Sequence, residues 1–318
     1  MQQTKVSSRN YSLDMLKFLL AFLIVIHHSP SPFHDFIQPL TTCAVPVFFM
    51  ISGYLIFSKE IIAPRIYKNA VRILKIFGGA IILFYLWYWI RHSDPYIPTV
   101  KDMMLFVFVN NEPLSGHLWY LAAYAYALFL LAFFASKNKV QWFRYVAIIG
   151  LIMYFILDAV HIYKDMPKAL TLVYCTRNFF FTAIPMMWIG ALVQKQKPQI
   201  SKAYLYLALF LLGACAIIEM DYISVNHIAD VFFFTIPVAI TLFLIFQSTF
   251  VQKPNFIAVA GEKYSLYIYI IHPITIKLLT NEFGKDTYFV GIMAFVITLV
   301  VSIAYVQTKQ TIEKLKTK

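Results

Sequence analysis

The sequence predicts an all-α polytopic membrane protein, a bundle of about ten transmembrane helices with both termini in the cytoplasm. Of its 318 residues, 60% are hydrophobic and only 13% are charged, and the mean hydropathy is +0.70. Soluble globular proteins are far less apolar. The net charge of +12 would favour a nucleic-acid partner if it lay on one soluble face, but the lysines and arginines occur in short clusters between apolar runs. The charge therefore reports topology, and we expect no nucleic-acid partner.

Ten segments are long and apolar enough to cross a hydrocarbon core of about 30 Å, which takes roughly 20 helical residues. The predicted spans cover residues 12–30, 40–58, 72–91, 118–135, 143–161, 172–193, 203–219, 230–250, 264–280 and 287–306. Several begin or end near Pro, Gly or Asn, residues that terminate helices. We expect a single membrane domain, residues 1–318, with a short N-tail (1–11) and a basic C-tail (307–318).

The positive charges predict the orientation, because cytoplasmic loops carry an excess of Lys and Arg. With the N-tail inside, most of the 27 Lys and Arg fall in predicted inner segments. The predicted outer loops hold only Arg91, Lys101, Lys164, Lys168 and Lys285. This alternation over successive spans places both termini inside and the end of the first span outside.

Several functional classes lack a sequence signal. Cys43, Cys175 and Cys215 have no metal-ligand spacing, so we expect inert thiols and no metal site. The chain has no Walker or dinucleotide-binding glycine pattern and no convincing internal repeat, which argues against an ATP-driven pump or an inverted-repeat transporter. No small-residue cleavage site follows the first apolar run, so we expect that helix to stay in the protein.

The first span carries the leading functional candidate. It begins near Asp14 and Lys17 and ends at the pair His27–His28, and ionisable groups at membrane depth are rare enough to suggest function. Imidazole is suited to proton transfer near neutral pH. Helix rise places His28 about 21 Å beyond Asp14, and the roughly 100° between adjacent residues lets only one of the pair face the bundle interior. A hydrated interfacial histidine is the alternative.

The second and fourth spans add polar and aromatic candidates. In the second, Ser52 precedes Gly53, which permits close helix approach, and Pro46 frees a backbone carbonyl. The fourth begins with His117-Leu118-Trp119-Tyr120-Leu121, which brings another imidazole to the predicted outer level. Helix packing accounts for the first pattern, and an interfacial aromatic belt accounts for the tryptophan and tyrosine of the second, so both alternatives stay open.

Two later spans supply the remaining candidates inside the membrane. Arg177 and Asn178 stand at the outer end of the sixth span, where the arginine either reaches the interface or stabilises an oxyanion. In the ninth span, His272 lies about 12 Å from the inner end, near the membrane centre. Pro273 frees a backbone acceptor beside it, so a structural hydrogen bond is an alternative role for His272.

A basic cluster follows the second span on the predicted inner side. It consists of Arg65, Lys68, Arg72 and Lys75, with Glu60 as a nearby acid. The cluster is either a topological anchor or a binding site for the phosphates of an anionic cosubstrate or lipid head group.

Five blocks of residues in this order resemble the acyltransferase-3 family of polytopic membrane O-acyltransferases. They are Asp14-x-x-Lys17 with His28 fourteen residues after the Asp, Val45-Pro46-x-Phe48-Phe49-x-x-Ser52-Gly53-Tyr54, His117-Leu118-Trp119-Tyr120-Leu121, Thr176-Arg177-Asn178 with Gly190, and Tyr264-Ser265-Leu266-Tyr267-Ile268-Tyr269-x-x-His272-Pro273. The resemblance covers nearly all the chain. It is closest to stand-alone enzymes that acetylate cell-envelope glycans, and it implies an integral protein of the bacterial cytoplasmic (inner) membrane.

The resemblance implies roles for these residues. His28 would be catalytic, as general base or acyl relay, and Arg177, Asn178 and His117 would stabilise the oxyanion. Acetyl-CoA would be a cosubstrate rather than a permanently bound cofactor, and cations would hold it from the cytoplasm: Arg72, Lys68, Arg65 and Lys17. Substrate or structural support would come from Asp14, Ser52, Trp119, Tyr120, Tyr267 and His272. The acceptor would be a glycan or lipid-linked saccharide.

The chain also departs from the family pattern. The Arg-x-x-Arg pattern after the second span is degenerate here, since Arg72 has Asn69 three residues before it and Arg65 is followed by Lys68. Many members carry Arg where this chain has Lys17. They often carry another Arg shortly before the Val-Pro of the second span, where this chain has Thr41, Thr42 and Cys43.

Two other functional classes compete with the enzyme hypothesis. A transporter or flippase for a small polar or lipid-linked substrate would also place polar groups inside ten spans, and acetyl-CoA turnover by the purified protein separates it from an acyltransferase. A non-catalytic scaffold for glycan assembly predicts that substitution of any single site residue has no effect.

Overall fold

The computed structural model describes residues 10–31, 34–110, 112–163, 177–226, 233–284 and 289–316. Within these ranges the chain is helical and contains no strand, which confirms the predicted all-α class. Several residues named in the sequence predictions lie outside the described ranges: residues 1–9 of the predicted N-tail, Lys164, Lys168, Cys175, Thr176 and Lys285.

The helices are α1 (Ser12–His28), α2 (His34–Thr41), α3 (Ala44–Phe57), α4 (Ala63–His92), α5 (Val100–Val109), α6 (Trp119–Ser136), α7 (Gln141–Tyr163), α8 (Ile184–Gln196), α9 (Lys202–Asn226), α10 (Thr235–Gln247), α11 (Phe256–Lys263), α12 (Ser265–Phe283) and α13 (Val290–Lys316). A 3-10 turn, Gly116–Leu118, precedes α6, and a π-helical turn, Phe179–Ala183, precedes α8. A helix occupies the described part of every predicted span. The last helix continues to Lys316, so most of the predicted C-tail extends α13.

Five candidate spans in the described ranges are long and apolar enough to cross a membrane. They are Phe36–Phe57, Ala63–His92, Gly116–Ser136, Lys202–Asp221 and Val290–Leu315, and shorter apolar helices cover Gln141–Leu157 and Thr235–Gln247. The first of these spans includes both α2 and α3, which a turn at Thr42 and Cys43 divides. The predicted span began at residue 40, so most of α2 was not predicted to be helical. Membrane character is thereby supported. The count of ten spans and the orientation of the termini stay predictions.

The chain divides into two compact units, each built from separate stretches of sequence. Unit 1 comprises Met1–Ala44, Gln199–Ile217 and Pro237–Lys318, and unit 2 comprises Val45–Pro198 and Ile218–Ile236. The predicted site residues are shared between them. His28 and His272 belong to unit 1, whereas Arg72 and the candidates from Ser52 to Asn178 belong to unit 2.

A compact cluster holds α1 against α12 and α13 in unit 1. Its buried members are Ala21, Val25, Ile268, Ile276, Val290, Ala294 and Phe295. The rings of Phe18 and Phe22 pack edge-on against Phe295, with centroids 5.3 and 5.0 Å away. Each such pair contributes about 0.5–1.5 kcal/mol beyond its buried area. This packing fixes the rotation of α1 and so the direction of the side chains at its end.

The start of α1 is tied to a segment much later in the chain. The Asn10 amide donates to the Thr249 carbonyl at 2.9 Å and accepts from the Val251 N–H at 3.0 Å. The Tyr11 N–H donates to the Val251 carbonyl at 3.0 Å, and Asn10 also accepts from the Ser12 N–H at 3.1 Å. First-turn N–H groups have no partner within their own helix. These bonds therefore anchor the end of α1 that lies opposite His28.

Close approach of two helix backbones organises unit 2. A methyl group on Gly53 would overlap the main chain of Met187, and one on Gly190 would overlap the main chain of Met50. Helices α3 and α8 thus touch at two glycines that face each other's backbone, as small residues permit in membrane helices. The predicted close approach at Gly53 is present, and it positions the adjacent Ser52 side chain.

Candidate active site

Helix α1 directs the two adjacent histidines to different surroundings. The Thr41 hydroxyl donates to the Gln38 carbonyl at 3.0 Å and lies 3.0 Å from Nδ1 of His27, so the imidazole is the donor in that contact. Thr41 is buried, and His27 is half-buried. His28 is exposed, and its ring lies 84° from that of His27 at a centroid distance of 5.0 Å. His27 is thus engaged in a structural contact, whereas His28 is accessible to a substrate.

The structure brings His28 together with His272. The ring centroids are 5.1 Å apart and the rings are inclined by 33°. His272 is completely buried, on a continuous helix α12. The two residues come from opposite ends of the sequence. Their contact forms an imidazole pair in which one member is exposed and the other is shielded.

Pro273 determines the protonation of its neighbour in α12. In a regular helix the N–H of residue 273 would donate to the carbonyl of Tyr269, but proline has no N–H. Nδ1 of His272 lies 2.7 Å from that carbonyl oxygen and donates to it. The proton is therefore assigned to Nδ1 by this hydrogen bond, which leaves Nε2 as the acceptor nitrogen. The structural hydrogen bond that the sequence suggested for His272 is present.

Asp14 and Lys17 form an ion pair near the start of α1. Nζ of Lys17 lies 2.9 Å from Oδ1 of Asp14. The acid is buried, stands in the first helical turn and also gains from the helix dipole. The backbone here approaches α11 closely, because a methyl group on Gly261 would overlap the Asp14 carbonyl. The ion pair therefore stands where α1 packs closely against α11, and the predicted supporting role of Asp14 stays a prediction. Contact of Lys17 with acetyl-CoA stays a prediction.

Tyr267 packs against another tyrosine of unit 1. Its ring centroid lies 4.9 Å from that of Tyr305 on α13. Tyr267 is half-buried. Packing against Tyr305 is thus sufficient to explain an aromatic residue at position 267. The predicted role of Tyr267 in substrate support stays a prediction.

A group of hydroxyls lies inside unit 2 around Ser52. Its hydroxyl donates to the Phe48 carbonyl at 2.9 Å and lies near the phenols of Tyr120 and Tyr124. The two tyrosine rings stack with centroids 6.1 Å apart. The charge of Arg72 acts on the Tyr124 phenol. These three hydroxyls therefore form a polar track that lies within electrostatic reach of Arg72 on α4.

The other cations of the basic cluster are arranged differently. Arg65 donates to the main-chain carbonyl of Glu60, next to the start of α4. Lys68 and Lys75 are exposed on that helix. Arg72 is the member that the structure connects to the buried hydroxyls, although the degenerate sequence pattern did not distinguish it. An exposed guanidinium beside such a track suits a phosphate at one end of an extended cosubstrate.

His117 and Trp119 stand at the entrance of α6. His117 is half-buried in the 3-10 turn, and its ring contacts the edge of Phe84 at a centroid distance of 5.0 Å. The Trp119 ring lies 6.1 Å from Phe49. Aromatic packing on α3 and α4 therefore holds both side chains, and their predicted parts in acyl transfer stay predictions.

Asn178 caps the π-helical turn before α8. Its Oδ1 accepts from the N–H groups of Phe180 and Phe181 at 2.9 and 3.0 Å. The side chain is buried, and Arg177 beside it is half-buried. Because Oδ1 serves as the cap, Nδ2 is the atom with which Asn178 would donate to an oxyanion. The cap holds that amide in a fixed orientation.

Two buried polar residues, which were not among the predicted site residues, lie in the segment before His117. Asn110 is 0% exposed and Glu112 is 4% exposed. Oδ1 of Asn110 accepts from the Phe179 N–H at 3.1 Å, and Oε2 of Glu112 accepts from the Ser115 N–H at 2.6 Å and from its hydroxyl. Among the described residues, Nδ2 of Asn110 and Oε1 of Glu112 are buried without a hydrogen-bond partner. An unsatisfied buried polar group costs about 1–3 kcal/mol, and more if charged.

The feature of the sequence that could have marked these two residues is their closeness to His117. An acid and an amide stand within seven positions of His117, but acids in predicted outer loops are usually solvated, so the pattern suggested no site. The burial of Asn110 follows from its tertiary contact with Phe179, which a single sequence does not reveal.

A polar and aromatic cluster surrounds the start of α5. Hydrogen bonds from the side chain and backbone of Thr99, and from the Tyr96 phenol, lower the pKa of Asp102. The same bond to Asp102 raises the pKa of Tyr96, with a further contribution from the negative charge of Glu112. Thr99 and Asp102 also form a capping box, a spacing that sequence reasoning could have used to predict α5. Glu112 thus lies close enough for its charge to act on this cluster.

The described residues contain no group of three or more His, Cys, Asp or Glu side chains placed to hold a metal ion. The polar groups described above are of the kinds that act as acids or bases, donate and accept hydrogen bonds, and form ion pairs. Acyl transfer to a hydroxyl uses groups of these kinds.

Comparison with known proteins agrees with this chemistry. A family profile described as acyltransferase domain matches residues 10–306, nearly the whole chain. Over 293 residues the chain is 27% identical to a serine/alanine racemase of Enterococcus gallinarum, a match that covers 84% of this chain and 41% of that protein. The chain thus spans about two fifths of the length of this relative. No solved structure matches the chain.

The profile match extends over α1 to most of α13 and includes all five blocks of the sequence resemblance. The apolar helices agree with the membrane character of such proteins. The chain belongs to the acyltransferase-3 family of membrane acyltransferases.

Proposed function

We propose that this protein is an O-acetyltransferase of the bacterial cytoplasmic (inner) membrane, which transfers an acetyl group from cytoplasmic acetyl-CoA to a hydroxyl of a cell-surface or lipid-linked glycan. The observation that carries the proposal is the contact of exposed His28 with buried His272, whose tautomer Pro273 fixes. An accessible imidazole backed by an oriented second imidazole is suited to general-base catalysis near neutral pH.

The direct reaction balances with His28 as the proton carrier. Its neutral imidazole takes the proton of the acceptor hydroxyl while the oxygen attacks the thioester carbonyl carbon. The tetrahedral oxyanion then collapses, the carbon–sulfur bond breaks, and the CoA thiolate takes the proton from the imidazolium. Nε2 of His272 suits the stabilisation of that imidazolium, because Nδ1 is already the donor to Tyr269. General-base catalysis of this kind contributes typically about 10²- to 10⁴-fold.

Arg177, Asn178 and His117 have the proposed task of stabilising the oxyanion. The Asn178 amide is held in one orientation by its cap, and a donor that needs no reorganisation during the reaction is the more effective one. In an alternative route, the imidazole of His28 first receives the acetyl group and then passes it to the hydroxyl. Both routes use the same residues and give the same ester and CoA thiol.

The donor has a proposed binding region in unit 2. Arg72, with Lys68 and Arg65 as further cations of unit 2, would bind the phosphates of CoA. The contact predicted for Lys17, which belongs to unit 1, is a separate part of the proposal. The pantetheine arm carries amides, which match the hydroxyls of Ser52, Tyr120 and Tyr124 along the track from Arg72. This assignment gives a function to buried hydroxyls that helix packing alone does not require.

The decisive experiment measures acetyl transfer and its dependence on His28. Membranes from cells with and without the gene are supplied with radiolabelled acetyl-CoA, and O-acetyl groups in the glycan fraction are identified by NMR or mass spectrometry. His28→Ala should abolish the transfer at unchanged protein abundance, whereas His27→Ala, which removes the bond to Thr41, should retain most of it. Persistence of acetylated glycan in the His28→Ala strain would remove His28 from the mechanism.

The same assay separates the enzyme from the transporter or flippase that also fits polar groups in a membrane bundle. A transporter would show no acetyl-CoA turnover as purified protein. The racemase named in the comparison is a larger protein, and the activity in its name is not proposed for this chain.

A further inference from the structure

The polar pair that precedes His117 lacks hydrogen-bond partners at two buried atoms. Asn110 and Glu112 each use one side-chain oxygen in a structural bond, to Phe179 and Ser115 respectively. Within the part of the chain that the structure describes, the second atom of each side chain is buried and unpartnered: Nδ2 of Asn110 and Oε1 of Glu112. Native proteins rarely leave such atoms unsatisfied, so a pair of them indicates a ligand group that completes both bonds.

The two open atoms are complementary in kind. Nδ2 of Asn110 is a donor, and Oε1 of an ionised Glu112 is an acceptor. The residues are two positions apart, so their Cα atoms lie within about 7 Å of each other. A hydroxyl group both donates and accepts. One hydroxyl can therefore complete either bond, and two neighbouring hydroxyls of a sugar ring can complete both.

The surroundings favour an uncharged sugar. The Tyr96 ring packs edge-on against Tyr85 and Tyr88, at centroid distances of 5.9 and 5.6 Å. Tyr96 also donates to Asp102 at 2.9 Å, and Glu112 lies close enough to influence Tyr96. The carboxylates of Asp102 and Glu112 repel an acidic sugar or a phosphate.

We propose that Asn110 and Glu112 form an acceptor subsite that binds a hydroxyl group of a neutral hexose or N-acetylhexosamine unit. The subsite rests on the proposed O-acetyltransferase function and specifies its acceptor. Glu112 takes a hydrogen bond from the sugar hydroxyl, and Asn110 donates one to the same ring. These contacts orient the sugar but do not take part in the transfer of the acetyl group.

Two nearly isosteric variants test each atom separately. Glu112→Gln keeps an oxygen for Ser115 and replaces the open acceptor by an NH2 donor. Asn110→Asp keeps an oxygen for Phe179 and replaces the open donor by an acceptor, and Asp tolerates the left-handed backbone at this position, φ 59°. The double variant exchanges donor and acceptor, and a hydroxyl can adapt to the exchange by rotating. Glu282→Gln, an exposed acid on α12, is the control.

The measurements are the initial rate of radiolabelled acetyl transfer into membrane glycan and the Kd of purified protein for acetyl-CoA. Each single variant should lower the rate about tenfold or more, the loss of one hydrogen bond to a charged or fixed group, with an unchanged Kd. The double variant should have a transfer rate within about threefold of the wild type, because it again offers one donor and one acceptor, with their positions exchanged. The control should behave as the wild type.

Three results would overturn the subsite. Unchanged single-variant rates would mean that water alone satisfies these atoms. A parallel loss of rate and acetyl-CoA affinity, or a double variant no better than the singles, would assign the residues to folding. If wild-type membranes transfer no acetyl group to glycan, the proposed function itself fails and the subsite fails with it, an outcome that is visible before any variant is compared.

Discussion

Unit 1 and unit 2 carry different kinds of chemistry. The candidate groups of unit 1 are nitrogen bases on α1 and α12, and a missing backbone N–H at Pro273 decides where one proton resides. Those of unit 2 are hydroxyls, amides and cations that surround Ser52, Asn178 and Arg72. A base has to hold its proton on a defined atom, whereas a binding surface needs many donors and acceptors in place. Under the proposed function, the histidines of unit 1 carry the proton transfer and the groups of unit 2 bind acetyl-CoA and the acceptor.

The helices are held together in two ways. Aromatic and aliphatic side chains interlock α1 with α12 and α13 in unit 1. Backbones approach without intervening side chains at Gly261 in unit 1 and at Gly53 and Gly190 in unit 2. Side-chain cores adjust to small changes by shifting rotamers, whereas backbone contacts have no such freedom, so we expect the glycine contacts to be the more sensitive to added volume.

The largest effect should come from Gly190→Ala. The new methyl group overlaps the main chain of Met50, and overpacking typically costs about 1–3 kcal/mol even where side chains can move. We expect loss of most folded protein, measured as the monodisperse fraction in detergent after heating. The control is Gly78→Ala on α4, where a methyl group meets no atom within 4 Å and a gain of up to about 1 kcal/mol in helix propensity is expected. Equal stability of the two variants would refute the difference in packing.

The next effect concerns the base pair of unit 1. His272→Gln keeps an amide donor for the Tyr269 carbonyl but removes the second imidazole. We expect kcat to fall by about 10²-fold, at the lower end of general acid–base effects, while the KM for acetyl-CoA and the protein abundance are unchanged. Because a structural hydrogen bond alone would be preserved, a wild-type kcat would reduce His272 to a helix-packing residue. His34→Gln is the comparison variant, because the His34 ring lies near His27 whereas the His272 ring contacts His28.

A smaller effect is expected from Arg72→Ala in unit 2. Loss of the guanidinium beside Tyr124 removes a charge-assisted bond, so the KM for acetyl-CoA should rise about tenfold with little change in kcat. Lys75→Ala, an exposed cation on the same helix, should leave the KM near the wild-type value. If both variants behave alike, the cluster acts as a topological anchor and the assignment of the donor to unit 2 loses its basis.

The smallest effect should follow Pro273→Ala. The alanine restores an N–H that competes with Nδ1 of His272 for the Tyr269 carbonyl, so the imidazole loses its fixed tautomer. We expect a loss of about two- to fivefold in kcat, which corresponds to under 1 kcal/mol, and an altered pH profile of kcat. Pro39→Ala, which also replaces a proline inside a helix, serves as the control. An unaltered pH profile of kcat would show that Pro273 does not affect the reaction through the tautomer of His272.

Much of this arrangement follows from the sequence by local rules. Apolar length predicted the helices, Gly53 predicted a close approach, and Pro273 predicted a spare carbonyl next to His272. The 100° between neighbouring helical residues separated His28 from His27 before any partner was known. These are effects of one helix on itself, and they need no knowledge of which helices meet.

The remaining features depend on partners that lie far apart in the chain. Thr41 as the partner of His27, and the burial of Asn110 against Phe179, arise from tertiary contacts that one sequence does not encode in a readable way. Most of α2 was also missed, because His34, Gln38 and Pro39 interrupt the apolar pattern before residue 40. Glu112 resembled an ordinary solvated loop acid.

The tie between Asn10 and Val251 has a consequence for the biogenesis of the protein. The two residues are 241 positions apart, and at a synthesis rate of about 5–20 residues per second the first helix waits roughly 12–50 s for its partner to emerge. During that time the growing chain contains His28 but not His272. A chain that ends before residue 272 therefore has no imidazole pair, and under the proposed function it should not consume acetyl-CoA.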